Sequence, residues 1–489
     1  MPVPTMDVVI AGAGMSGLAA AIAAAEKGAR VCVLEKRKAP GGAAAISAGA
    51  IWAPTSIGRL REYVPDGDPV LQEILVSRLP GDLAWLASHG LMLSAPESVA
   101  GLGEGRNMLG GESGSHDPFM RAMADRAARL GVQLRYQEAL REARRNSSGF
   151  EIRTDAGTAI STRSLILATG GFQGSRQLLT QYLGAERAGY LYLRGLAEST
   201  GDGLTVALSL GARTAGDMAA FYGHTMPDGE IPPEQMQPVT PYFARYSLLV
   251  NMHGRRFVDE AAALLEEVNP QEGCRQPGGK YFLVFDQHIY ETYGINQQVT
   301  SAIPAIDRVA LASKLGVPVY KAGTLEELAR QLSGEGVSAE RFVHEIETYN
   351  QACRSGSGAG LSPPRIRYAI PVEKAPLYAV RCVPGITCTT GGVAVDGQSR
   401  VLDREEHPIP GLFAAGVDAG GVFGRHYAGF LGWALVSGRL CGSSAAASGI
   451  ATQHPDGTPG NPARNRVAGP RTTDRPSTAG RRRRSAPRP

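Results

Sequence analysis

Gly12-Ala-Gly14-Met-Ser-Gly17 carries the glycine spacing that cradles a pyrophosphate. Gly12 permits a tight turn, Gly14 lets the backbone approach phosphates, and Gly17 lets helix and strand pack closely. A helix opening at Met15 and Ser16 presents unpaired N–H groups and a partial positive charge to the anion. Glu35, followed by Lys36, is placed to accept hydrogen bonds from a ribose diol, and its charge would repel a ribose phosphate, which disfavours NADP. The surrounding elements fit this chemistry. Residues 6–11 form a β-branched apolar run typical of a buried parallel strand. An Ala-rich helix then runs to about Lys27, and a second strand spans Arg30 to Glu35.

Past Glu35 comes a second glycine turn, Pro40-Gly41-Gly42, and then small residues from Ala43 through Ser47 and Gly49 to Pro54. A turn just beyond the ribose-binding strand suits a ligand longer than NAD lying across the sheet, so the expected cofactor is FAD. Two distant segments add to this. Ser164 to Gly171 reads as a strand ending in the turn Thr169-Gly170, and Gly411 to Gly416-Val-Asp418 reads as another. No second dinucleotide fingerprint appears, so direct use of NAD(P)H is not supported.

A chain of 489 residues can form two or three domains. Its net charge of +4 is concentrated at one end, where residues 449–489 hold nine Arg and two Asp in a Pro/Gly-rich, disordered-type tail. Nothing else points to nucleic acid, and the Arg481-Arg482-Arg483-Arg484 run reads as solvated. Six Cys are scattered without CxxC spacing, which fits a reducing compartment and no metal site. No apolar run reaches the ~20 residues of a membrane-spanning helix. The first strand leaves no room for a signal peptide. These features together predict a cytoplasmic protein with a small-molecule substrate and a separate electron acceptor or donor of unspecified identity.

The sequence resembles the flavoprotein superfamily of fumarate reductases, 3-ketosteroid dehydrogenases and tricarballylate dehydrogenases. Beyond the fingerprint, the resemblance is carried by Gly201-Asp202-Gly203, Leu249-Val-Asn-Met-His-Gly-Arg-Arg-Phe-Val-Asp-Glu260, Glu347-Thr-Tyr-Asn350, Thr389-Thr-Gly-Gly392 and the run from Tyr427 to Gly438. It implies an α/β fold: a Rossmann-like FAD-binding domain, split in sequence over 1–222 and 372–448, with an inserted α+β capping domain at 223–371. Helices at 324–333 and 338–352 would belong to the cap. Ala43 stands where covalent members carry a flavin-linking His, so FAD should be noncovalent. Leu264, Cys388 and Phe430 replace an Arg, a His and an Arg of the fumarate reductases, and a dicarboxylate there would lose its charged partners. Tyr427-Ala-Gly429 is similar to the Tyr-Pro-Gly of the dehydrogenases. That implies a Tyr427 hydroxyl, with the N–H of Leu431 or Gly432, holding a ketone oxygen.

His224 matches a region where family members often place a substrate-facing His, which makes it the first candidate for substrate binding or proton transfer. His426 is a candidate proton shuttle and Arg425 a candidate carboxylate binder. The cap base of the dehydrogenases also falls near Leu264, so Tyr242 or Tyr246 would have to replace it. Glu266 and Glu267 are alternatives, although they read as a solvated helix face. Trp52, Phe430 and Trp433 would wall an apolar pocket or pack beneath the flavin. The leading expectation is an FAD-dependent dehydrogenase desaturating a C–C bond next to a carbonyl, with hydride passing to flavin N5. The alternatives are a tricarballylate-dehydrogenase-like enzyme on a small carboxylate, which would need Arg425 or Arg245 in the pocket, or an enoate/fumarate-type reductase.

Overall fold

Val8, Val9 and Ile10 are fully buried because the strand Thr5–Ala11 lies inside a parallel sheet covered on both faces. It pairs with Val31–Glu35 on one side and Ala159–Leu167 on the other. Gln133–Tyr136 and Pro408–Ala414 extend the parallel array outward. The hairpin Leu140–Asn146/Gly149–Thr154 adds antiparallel strands against Ala159–Leu167. The computed structural model describes residues 5–99, 101–111, 115–296 and 305–450, so the expected tail beyond 450 lies outside the described residues.

Helix Met15–Ala25 begins directly after the first strand and packs along the C-terminal helix Phe430–Ile450. Their backbones approach closely because glycines face the fingerprint helix. A Cβ on Gly442 would meet the Ala20 carbonyl oxygen at 2.1 Å. This contact delivers residues 430–434 to the glycine fingerprint, far away in sequence.

A second, mixed sheet is built around Leu377–Thr389. That strand pairs antiparallel with Phe221–Pro227, Tyr281–Asp286 and Val319–Ala322, and parallel with Tyr192–Leu193. Helices Leu325–Ser333 and Ala339–Ser355 stand where the sequence places them, the first capped by Thr324, whose hydroxyl accepts from Glu327 N at 3.2 Å. The fold is thus α/β, with a Rossmann-like sheet and a second α+β layer.

Two hydrophobic cores divide the molecule. Apart from Cys274, the first draws on residues up to Phe221 and from Ile386 onward, and the second on Met226 to Cys382. Most of strand 377–389 therefore packs with the inserted segment, because its antiparallel partners lie there. We propose that the domain boundary expected at 372 falls near residue 383. Glu260, which ends the Phe-Val-Asp-Glu motif, is fully buried between Arg256 at 2.7 Å and Arg365 at 2.6 Å. The motif thus anchors the inserted segment. Among the described residues no helix is long and apolar enough to cross a membrane.

Candidate active site

Between the carboxyl ends of the parallel strands and the start of helix Met15–Ala25 runs a cleft lined from Ala11 to Ala434. Gly12 sits at its head with φ of 105°, and a Cβ there would meet the Ala168 carbonyl oxygen at 2.2 Å. Gly17 faces away from the cleft and packs against Gly12, where a Cβ would lie 1.9 Å from the carbonyl oxygen. Gly14 opens onto the cleft and caps the helix without a side-chain bond, so the first-turn N–H groups at Met15 and Ser16 stay available to an anion.

Glu35 is buried, with one oxygen accepting from Ala13 N at 2.8 Å and the other from Arg37 N at 2.8 Å. Each oxygen keeps acceptor capacity for a ribose hydroxyl. Lys36 borders the cleft, but its ammonium is engaged by the Glu198 carbonyl at 2.5 Å, Thr200 Oγ1 at 2.8 Å and Asp202 at 2.7 Å. It ties down the loop ahead of helix Asp202–Ser209. Gly42, Ala43, Thr169, Gly170, Asp202, Gly416 and Leu431 also line the cleft.

Gly41, Ser47, Gly49 and Asp418 do not line the cleft. Ser47 Oγ donates to the Ala44 carbonyl at 2.8 Å and accepts from Gly49 N at 3.1 Å, which shapes the turn. Gly41 holds the start of that turn with φ of 125°. Asp418 sits behind Thr169, accepting from its backbone N–H and from Oγ1 at 3.0 Å. Burial pushes the Asp418 carboxyl up to about 7, against the opposing Thr169 bonds. An uncapped helix end, a carboxylate with spare acceptor sites and a cleft running from Glu35 to Leu431 together fit FAD.

Cys388, Phe430 and Leu431 are also among the residues lining the cleft. Beside them Tyr427 stacks on Tyr222, with ring centroids 4.0 Å apart, and meets Trp52 edge-on at 5.9 Å. The Tyr222 hydroxyl lies 2.9 Å from His224 Nε2. His224 is buried, and its pKa falls well below the ordinary imidazole value, through burial and then the nearby Arg194 and Arg245 charges. The imidazole is therefore neutral. Its edge meets Tyr242 at 5.1 Å, and the Tyr242 hydroxyl accepts from Arg194 at 2.7 Å.

The structure thus joins Tyr427 and His224 through Tyr222, and leaves other candidates apart. Arg425 is ion-paired with Glu272. His426 packs its ring against Tyr63 at 5.2 Å. Tyr246 stacks on Tyr293 at 3.8 Å and touches Tyr368, in a separate aromatic group. Trp433 is buried and donates to the Gly416 carbonyl at 3.0 Å, a packing role.

Glu266 and Glu267 correct the expectation of a solvated helix face, because both are buried. Glu266 accepts from Arg245 N at 2.9 Å, and Glu267 accepts from the Tyr63 hydroxyl at 2.6 Å and from Tyr427 N at 3.0 Å. Glu267 therefore holds the backbone at Tyr427. Tyr222, Arg194 and Tyr63 are absent from the sequence candidates. A signal existed for Tyr222: it stands two residues before His224 in a strand, the spacing that brings side chains to one face. Only tertiary structure brings in the other two.

Residues 7–429 match the FAD binding domain family, and the chain belongs to it. A vinyl phenol reductase of Lactiplantibacillus plantarum is 27% identical, over 90% of this chain and 96% of its own. A cytochrome-type fumarate reductase of Shewanella frigidimarina is 26% identical, over 91% of this chain and 78% of its own. The solved 3-ketosteroid Δ4-(5α)-dehydrogenase of Rhodococcus jostii RHA1, crystallised with 4-androstene-3,17-dione, superposes with a TM-score of 0.70 at 25% identity, covering 91% of this chain and 97% of that one. The protein is an FAD-dependent oxidoreductase of the group that acts on carbon–carbon double bonds.

Proposed function

We propose that the enzyme transfers hydrogen across a carbon–carbon bond conjugated to an oxygen-bearing carbon, desaturating a ketone or reducing the corresponding enone. The observation that carries this reading is the state of the Tyr427 hydroxyl. Burial raises it above the ordinary phenol range, and the nearby Trp52 side chain and Phe430 backbone oppose that shift only in part. It stays protonated, and no acceptor takes its hydrogen among the described residues. Such a hydroxyl is ready to donate to a substrate oxygen.

Loss of an α-proton, or hydride addition at the β-carbon, builds negative charge on that oxygen. A fixed donor stabilises the charge as it develops. The Leu431 N–H, at the start of the C-terminal helix and on the cleft wall, is the second donor. FAD, held without a covalent link because Ala43 offers no nucleophile, supplies the hydride acceptor or donor.

Leu264 carries no titratable group, so the proton passes elsewhere, and Tyr222 is the carrier. Neutral His224 orients the Tyr222 hydroxyl through Nε2, while burial and the neighbouring Tyr427 raise that hydroxyl well above the ordinary phenol range and the Arg194 charge opposes them only in part. The carboxylate alternative loses its expected anchors, since Arg425 and Arg245 are paired with Glu272 and Glu266. Anaerobic mixing of holoenzyme with cyclic ketones, oxo acids, alcohols and amines tests the reading, as does mixing the chemically reduced enzyme with enones. Flavin absorbance should respond to the carbonyl compounds alone. A response to alcohols or amines, with none to carbonyls, would overturn it.

A further inference from the structure

Arg194 is held in place and yet its charge is uncompensated. Its Nε donates to Thr240 Oγ1 at 3.0 Å, one terminal nitrogen to Thr387 Oγ1 at 3.0 Å and the other to the Tyr242 hydroxyl at 2.7 Å. All three acceptors are neutral. No carboxylate lies within ion-pairing distance of Arg194 among the described residues, whereas Arg245 and Arg425 each have one. A guanidinium offers five N–H donors, so two remain unspent. The group is only partly exposed, and taking a charge out of water without a counter-ion is costly.

Hydrogen bonds set that charge beside the Tyr222–His224 pair: Arg194 holds Tyr242, whose ring meets His224 at 5.1 Å, and Thr387, the residue before Cys388. It acts on Tyr222, His224 and Cys388, the last of which lines the cleft. Arg308 lies over the same Tyr242 ring at 5.4 Å, adding to the positive field. Nδ1 of His224 is buried with no hydrogen-bond partner. Against these cations stand Glu266, paired with Arg245, and Glu267, which holds Tyr63 and the Tyr427 backbone; neither carboxylate lies within ion-pairing distance of Arg194.

We propose that Arg194 binds a carboxylate on the substrate, so that the natural substrate is a carboxylic acid that also carries the conjugated oxygen held by Tyr427. This rests on reading the Tyr222–Tyr427 chamber as the substrate site. Carboxylate matches the two unspent donors, and charge-assisted bonds to a fixed guanidinium are the strong kind. Neutral ketones would fill the aromatic part alone and bind more weakly.

Equilibrium binding to the FAD-loaded enzyme tests this without turnover, using flavin absorbance to report benzoate and its neutral isostere benzamide. Wild type should bind benzoate about ten- to hundredfold more tightly than benzamide. R194Q should remove that preference while leaving benzamide unchanged, and R194K should restore part of it. Equal binding of the two probes by wild type overturns the proposal, whether or not any variant folds. So does benzoate affinity that survives in R194Q. Loss of the benzoate preference leaves the conjugated-oxygen reading standing, because that reading is judged by the response to carbonyl compounds.

Discussion

The Tyr222 ring lies on the Tyr427 ring at 4.0 Å between centroids, with planes 21° from parallel. Strand Phe221–Pro227 of the second sheet supplies one ring, and the loop leading into the C-terminal helix supplies the other. In the proposed chemistry their contact sets a proton carrier beside an oxygen binder.

Replacing Tyr222 by Phe keeps the stack and removes the hydroxyl bonded to His224. We expect kcat to fall by about 10²- to 10³-fold with FAD content unchanged, in steady-state assays on a conjugated carbonyl substrate. H224Q, which keeps an acceptor for Tyr222, should lose less, about tenfold. Because burial and the nearby guanidinium charges keep His224 neutral, the kcat–pH profile should show no inflection near the ordinary imidazole value of about 6.5.

Gly12→Ala places a methyl 2.2 Å from the Ala168 carbonyl oxygen at a positive φ of 105°. The substitution should cost about 1–3 kcal/mol and displace the turn beneath the pyrophosphate. Protein leaving a desalting column should have lost most of its flavin absorbance. Full FAD retention would contradict the close approach.

Glu260 bridges Arg256 and Arg365 in a fully buried triad. E260Q leaves two guanidinium groups buried without a carboxylate and should cost about 3–5 kcal/mol in urea unfolding. The motif would then be needed for folding rather than for chemistry.

Asp418 has a folded pKa raised from 3.8 to about 7, with burial the main cause. Between those values the folded state holds a proton that the unfolded state has released. This group's contribution to stability is therefore full below about pH 4, falls as pH rises through that window, and levels off above 7. Thermal unfolding of wild type and D418N at pH 5 and pH 8 checks the sign. Wild type should compare more favourably with the variant at pH 5.

The dinucleotide half of this site was readable because its parts are local: one strand, one turn, one helix and Glu35 at the end of the next strand. The substrate half was not, because Tyr63, Arg194, Tyr222, Glu267 and Tyr427 meet only when two sheets and the C-terminal helix come together. Glu266 and Glu267 show the difficulty plainly. Adjacent carboxylates after an apolar pair look solvated in sequence, yet Tyr63 and the backbones of Arg245 and Tyr427 bury them. Tyr427 itself is legible in a short motif, but the Tyr222 and Trp52 rings packed against it depend on tertiary contact.

The most direct measurement is the anaerobic half-reaction of wild type and Y427F with a conjugated carbonyl substrate, followed by flavin absorbance in a stopped-flow instrument. Losing the donor to the developing oxyanion should slow hydride transfer by about 10²- to 10³-fold at saturating substrate, with FAD content and the Trp52 packing retained. An unchanged rate in Y427F would contradict the assignment of Tyr427 as the oxygen-binding residue, and with it the proposed chemistry.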